Sequence, residues 1–291
     1  MIIVQLIGGL GNQMFQYAAG RCLACSLNTE LKLDISPFRQ ENLREYDLSV
    51  FSIKEHIASG EDLNRVCYPL PWVIRHPAHL LKSVIRRNTT VKYVREFQFQ
   101  FDPAFFKLPD NVYLEGYWQS EHYFKKIEPL IRKEFRLQNA PGGQVQELSE
   151  RIREGNAISI HIRRGDFVKN PATNATHGVC STDYYQRAIE SITRQVDDAR
   201  FWIFSDDPGW VRENITIENP SYSVSDHHFK NYEDMYLMSC CRHHIIANSS
   251  FSWWGAYLGS GPEKIVIAPE RWFKKTDIST KDLLPESWIQ L

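Results

Sequence analysis

The sequence predicts an α/β protein built from two Rossmann-like domains that face one another across a cleft. Three observations carry this reading. Apolar runs of strand length recur along the chain, several without a polar interruption, as expected of parallel strands covered on both faces. Helix-like stretches lie between many of them, and strand alternating with helix is the pattern of parallel α/β sheets. Each half also opens on a buried strand that runs into a distinctive turn, Ile2–Gly11 in the first and Ala157–Asp166 in the second.

The strand-length runs are Ile2–Ile7, Leu31–Ile35, Val112–Gly116, Ala157–Ile162, Phe201–Phe204, His244–Ala247 and Ile265–Ala268. The helix-like stretches are Asn12–Ser26, Thr182–Val196 with Thr182 and Asp183 as capping residues, Tyr232–Cys241 and Ser252–Leu258. The pattern breaks over Leu137–Gln144, where an Asn-Ala-Pro-Gly-Gly run precedes a polar helix, and this divides the chain into residues 1–140 and 141–291. Ser36–Lys107 holds several prolines and poor periodicity, and reads as insertions and helices.

A chain of 291 residues with 43% hydrophobic and 24% charged side chains has the profile of a globular enzyme. A net charge of -1 argues against binding nucleic acid by bulk electrostatics, so no nucleic-acid partner is expected. Aromatic residues make up 13% with eight Trp, which suits sugar handling, where aromatic faces stack on C–H surfaces, and suits a large core equally. No segment approaches the roughly 20 apolar residues that span a bilayer. Met1–Ile7 is short, lacks a basic flank and runs into glycines, so it reads as a strand rather than a signal peptide. A cytoplasmic protein is expected, with peripheral membrane association left open. The six cysteines are too sparse for a disulfide scaffold. Cys22-Leu23-Ala24-Cys25 has zinc-site spacing, but it falls inside a helix with apolar neighbours, and no metal site is expected.

Four segments carry residues suited to chemistry. Ile158–Asp166 is a buried strand that delivers His161, Arg163, Arg164 and Asp166 at its C-terminal edge, where open α/β sheets bind ligands. Two guanidiniums there suit a diphosphate, because each is permanently charged and presents a planar fork to phosphate oxygens. A surface salt-bridge cluster would look the same. Gly8–Gln16 lies between the first strand and its helix, where the glycines let a backbone approach a ligand and a helix start attracts anions. It is not a Gly-x-Gly-x-x-Gly fingerprint and has no Walker lysine, and a ligand-free tight turn fits it too. Phe201–Pro208 ends in Asp206 and Asp207, which read as metal ligands, a helix cap or partners for the arginines. Asn231–Tyr257 combines Asp234 at an acidic helix start with Asn248, Ser249 and Ser250 before a second helix, either contacting phosphate or sugar or merely capping it.

Gly8–Gln16, Gly116-Tyr117-Trp118-Gln119-Ser120-Glu121, His161–Asp166, Phe204–Asp207 and Asn248–Trp254, in this order, resemble the α-1,2-fucosyltransferase family, particularly its bacterial members. The resemblance covers nearly the whole chain. It implies the GT-B architecture, GDP-fucose as donor, inversion at the anomeric carbon and no metal cofactor. The implied acceptor is the 2-hydroxyl of a galactose-containing oligosaccharide or glycolipid-linked glycan.

Carried over by residue, the resemblance implies that Arg163 contacts the β-phosphate of GDP with Arg164 in support. His161 and Asp234 would hold the nucleotide, Asp234 near guanine, and Ser249 and Ser250 would lie near the phosphates or fucose. Asp206 and Asn248 fall in the same motifs and join the nucleotide-sugar set, while Gly9, Gly11 and Asn12 would close it from the other domain. Trp118, Glu121 and His177 are the acceptor-side candidates. The proton acceptor stays open among Asp166, His177, Glu121 and Asp34, because Pro171 occupies the offset at which the α-1,6 branch carries an acid.

Overall fold

The computed structural model describes residues 1–39, 44–67, 91–261 and 263–291, and the side chain of Asp166 lies outside the described set. The chain divides into two compact units, Met1–Arg136 and Leu137–Leu291. Among the described residues no helix is long and apolar enough to cross a membrane.

The first unit holds a parallel sheet of five strands: β1 (Ile2–Gln5), β2 (Leu31–Asp34), β3 (Val66–Cys67), β4 (Val91–Arg95) and β5 (Val112–Glu115), in the order β2-β1-β5-β4-β3. β1 is an interior strand, paired with β2 on one side and β5 on the other. The helix Leu10–Ser26 follows β1 and is buried along almost its whole length, so that even Gln13, Gln16 and Arg21 lie inside. Its Tyr17 and Arg21 bond the buried Glu134 of the Glu128–Glu134 helix, Tyr17 Oη at 2.7 Å and Arg21 Nη2 at 2.9 Å. β3 and β4 lie within Ser36–Lys107, so that stretch contributes strands as well as helices, while residues 40–43 and 68–90 of it lie outside the described residues.

The second unit is a six-stranded parallel sheet of β6 (Ala157–Ile162), β7 (Arg200–Ser205), β8 (Ser221–Ser223), β9 (His243–Ile245), β10 (Val266–Ala268) and β11 (Ile289–Gln290). The order β11-β10-β9-β6-β7-β8 is the doubly wound Rossmann order, with β6 first and the winding reversing between β6 and β9. Both faces of β6 are covered and all six of its residues are buried, the polar Ser159 and His161 included. Ile158, Ile160 and Ile162 pack with Tyr185, Ile189 and Ile192 of the Thr182–Thr193 helix. Ala157 on the opposite face packs with Leu148 and Ile152 of the Gly143–Arg153 helix and with Leu237 and Met238 of the Asn231–Cys240 helix. The Thr182–Thr193 helix is capped by Ser181, whose Oγ accepts from Tyr184 N at 3.1 Å, rather than by Thr182 or Asp183.

Candidate active site

In a doubly wound sheet the two strands that flank the reversal leave their following loops splayed apart, and ligands bind there. In the second unit those loops are Ile162–Asp166 after β6 and the segment leading to Ser249 and Ser250 after β9. Arg163 Nη1 meets Asp206 Oδ2 at 2.8 Å, and the other oxygen of Asp206 accepts from Arg164 N at 2.8 Å. One carboxylate thus fixes both the first arginine's side chain and the second arginine's backbone. The fit depends on Gly165, because a Cβ there would stand 2.4 Å from Asp206 Oδ2. Arg164 turns its guanidinium over the Trp210 ring, 3.8 Å from the centroid, with Nε 3.3 Å from Asp207 Oδ2. Asp207 also caps the Pro208–Asn214 helix through Trp210 N at 3.2 Å. The two carboxylates are therefore arginine partners, and Asp207 a helix cap as well. Among the described residues no group of three or more His, Cys, Asp or Glu is arranged to hold a metal ion.

His161 lies on the β6 face of Ala157 and Ser159, with its ring 5.6 Å from Phe251. Burial pushes its imidazole down to about 4, helped by the charge of Arg163 and opposed by Asp206, so it is neutral near pH 7. Asp234 sits in the Asn231–Cys240 helix, and burial, with Glu233 beside it, pushes its carboxyl up to about 7. Among the described residues, His161 Nδ1 and Asp234 Oδ1 are both buried without a hydrogen-bond partner. Leaving such an atom unsatisfied typically costs about 1–3 kcal/mol, so each is a place where a ligand group would be repaid. Ser249 caps the Ser250–Leu258 helix, accepting from Phe251 N at 3.3 Å, so the hydroxyls stand at a helix start as expected. Trp253 and Trp254 behind them are fully buried.

Asn248 does not belong to this set. Its Nδ2 donates to His177 O and Trp272 O, both at 3.0 Å, and its buried amide braces the loop after the Pro171–His177 helix. His177 stacks on Phe167 at 4.9 Å and lines a cavity of about 510 Å³ in the second unit together with Tyr184, Arg271 and Phe273. Phe167 in turn lies 5.6 Å from the Arg163 guanidinium.

In the first unit the two motifs at the reversal, after β1 and β5, are joined to each other. Gln16 accepts from Ile7 N at 3.0 Å and donates to Gly116 O at 3.1 Å, while Gln119 Nε2 donates to Asn12 Oδ1 at 2.8 Å. Gly8 has a left-handed φ of 75°, Gly9 is the N-cap of the Leu10–Ser26 helix, and Gly11 is buried within it. Asp34 is buried and accepts from Tyr113 Oη at 2.7 Å.

Two acceptor-side candidates need correction. Trp118 is only 3% exposed, its ring 5.1 Å from Phe105 and 5.4 Å from Tyr123, so neither face is open to a stacking sugar. Its φ of 55° is rare for a large side chain and costs on the order of 1–3 kcal/mol. Glu121 is buried and held by Lys125 Nζ at 3.0 Å, an i,i+4 pair. Trp118→Ala is accordingly expected to lower stability by about 3–5 kcal/mol, read as a fall in Tm, with nucleotide affinity unchanged. An unchanged Tm with weakened acceptor binding would return Trp118 to the sugar site.

Comparison with known proteins agrees with this architecture. Residues 90–291 match the family model described as Glycosyl transferase family 11. Over 300 residues the chain is 33% identical to an alpha-1,2-colitosyltransferase of Escherichia coli, covering 100% of this chain and 99% of that protein. It is 24% identical to galactoside alpha-(1,2)-fucosyltransferase 2 of Rattus norvegicus, covering 99% of this chain and 76% of that protein. In structure it is similar to NodZ alpha-1,6-fucosyltransferase soaked with GDP-fucose, with TM-score 0.51, 13% identity and coverage of 88% and 91%. POFUT1 in complex with GDP-fucose gives TM-score 0.51 at 12% identity, with coverage of 92% and 96%. The two structural likenesses are to GT-B fucosyltransferases and bear on the fold. The Arg163–Asp206 edge therefore belongs to a chain that is a member of glycosyl transferase family 11.

Proposed function

We propose that this glycosyltransferase moves L-fucose from GDP-β-L-fucose to the 2-hydroxyl of a galactoside, with inversion and without a metal cofactor. The observation that carries the proposal is Arg163, fixed by Asp206 at 2.8 Å beside a neutral His161, at the C-terminal edge of the central strand. Cleavage of the donor builds positive charge on the fucose ring and negative charge on the β-phosphate. A preorganised guanidinium stabilises that negative charge, and one such donor is worth roughly 3–4 kcal/mol of barrier. Arg164 supports it from its seat on Trp210. Ser249 and Ser250 offer hydroxyls and the N-terminus of the Ser250–Leu258 helix to the same anion. Asp206 acts on the donor through Arg163, which it orients. The acceptor oxygen attacks opposite the leaving phosphate and turns the β-linked donor into an α product.

A second donor has its own support, because the Escherichia coli relative at 33% identity is named a colitosyltransferase of the same α-1,2 linkage. Colitose is L-fucose without its 3-hydroxyl, so a site that hydrogen-bonds that hydroxyl would reject it. Comparing kcat/KM for GDP-fucose and GDP-colitose on one galactoside tests the donor assignment. Preference for GDP-fucose is expected, and a reversed preference would assign the chain to colitosyl transfer.

Asp234 is proposed to take the N1–H and N2–H groups of guanine, which need an ionised carboxylate. With its carboxyl pushed up to about 7, Asp234 holds a proton in the free protein below that pH and must release it on binding. Affinity for GDP-fucose, a diphosphate diester with no proton to lose near neutrality, should weaken as pH falls through about 7, approaching tenfold per unit. Asp234→Asn should bind weakly with that dependence gone. A flat wild-type profile by calorimetry would remove Asp234 from the nucleotide site.

The arginine pair supplies the positive charge that a metal would otherwise bring. Activity in EDTA should therefore stay within about a factor of three of that with added Mg or Mn. A rate that collapses on chelation and returns with either ion would contradict the metal-independent mechanism.

A further inference from the structure

The cavity of about 510 Å³ beside His177 lies at the C-terminal edge of the second unit's sheet, the edge that carries Arg163. Asn248, which follows β9, and residues after β10 form part of its wall. Two links tie it to the donor side. Asn248 is followed in the chain by Ser249 and Ser250. His177 stacks on Phe167 at 4.9 Å, and the Phe167 ring lies 5.6 Å from the Arg163 guanidinium. One aromatic pair thus separates the cavity from the arginine.

The buried polar groups of the wall are spent on the fold. Tyr184 Oη donates to Ile246 O at 2.7 Å, and Asn248 Nδ2 donates to His177 O and Trp272 O, both at 3.0 Å. The wall they support is aromatic, with His177, Tyr184 and Phe273, the last 5.2 Å from His177. Aromatic faces take the C–H surfaces of a pyranose, and the volume falls within the range of about 300–1,000 Å³ usual for small-molecule sites.

The charged side chains of the wall are Arg187, Arg271 and Lys274 against one carboxylate, Glu270. Arg187 shares its guanidinium with Asp183 at 2.9 Å. Arg271 is held differently: its Nε donates to Phe273 O at 3.2 Å and its Nη2 to Lys274 O at 2.6 Å. Main-chain oxygens of its own loop fix it without cancelling its charge. That loop is tied to the Pro171–His177 helix, because Lys274 N donates to Thr176 O at 2.9 Å. Among the described residues no carboxylate pairs with Arg271 or Lys274. A fixed guanidinium beside an ammonium, above an aromatic wall, is a seat for a sugar that carries an anion.

We infer that this cavity takes the sugar next to the reacting galactoside, and that this sugar bears a carboxylate or a phosphate held by Arg271 and Lys274. The inference rests on the glycosyl-transfer reading above and narrows its acceptor to an acidic glycan.

Methyl β-D-glucuronide, α-D-glucose 1-phosphate and methyl β-D-glucoside share one ring and differ in charge. With saturating GDP filling the donor seat, titration by saturation-transfer NMR should show at least one anionic probe bound about tenfold or more tighter than the neutral one. The tighter of the two names the anion. Equal binding of all three, or loss of the anionic probes on adding GDP, overturns the site. Arg271→Gln and Lys274→Gln should each weaken the anionic probe about tenfold with GDP affinity unchanged. Lys274→Gln keeps the test open if Arg271→Gln disturbs the loop, because the bonds at Lys274 are made by its main chain. Unchanged probe affinity in both variants overturns the role of the two cations. The bound probe should also inhibit fucosylation of lactose in competition with lactose and not with GDP-fucose, and any other pattern overturns the acceptor assignment. Absence of sugar transfer by the wild type would instead count against the enzymatic reading, and the binding measurement still decides the cavity.

Discussion

Arg163→Lys is expected to lower kcat by about a hundredfold or more although it keeps the positive charge. The reason is geometric. A guanidinium presents a planar fork and can rest one edge on Asp206, at 2.8 Å from Nη1, while offering other N–H groups to phosphate. A lysine ammonium is a point charge on a flexible stem, and Asp206 would draw it away from the leaving group. The loss should appear in kcat more than in donor KM, because the charge on the β-phosphate grows in the transition state. Steady-state kinetics with both substrates varied, beside GDP affinity by calorimetry, give the answer. Wild-type kinetics in this variant would make Arg163 a surface ion-pair partner and no more.

Asp206→Asn is expected to have the next largest effect, a fall in kcat of about tenfold to a hundredfold with little change in Tm. The asparagine keeps the shape and can still accept from Arg164 N, but it no longer holds the Arg163 guanidinium by charge. Misplacing a catalytic group by about 1 Å is enough for a loss of this size. Raising Mg or Mn should not restore the rate. Recovery with either ion would mean that the carboxylate serves a metal and not the arginine.

The central strands were legible because covering a parallel sheet on both faces favours short, densely apolar runs, as in Ile2–Gln5 and Ala157–Ile162, where Gln5, Ser159 and His161 are the polar exceptions. β4 was not, because Lys92 and Arg95 interrupt it and it is only partly buried. β8 and β11 are short edge strands, too brief to register as a period. At the site, the arginine pair could be read from residue type and strand position together, whereas the fate of Asp206 depended on a contact across the sheet. Asn248 carries hydroxyl neighbours and looks like a ligand contact, yet its amide is consumed by backbone carbonyls of His177 and Trp272. Alternation past the end of β5 could not tell which of Tyr117 and Trp118 faces solvent, because a left-handed residue resets it. Glu121 had a readable signal, since Lys125 stands four residues on.

Transfer of fucose to the 2-hydroxyl of a galactoside is tested most directly by NMR of the product formed from GDP-fucose and methyl β-D-galactoside. An α-configured fucose anomeric proton with a through-bond correlation to galactose C2 is the predicted result. A β anomer, a correlation to another galactose carbon, or release of free fucose alone would contradict it.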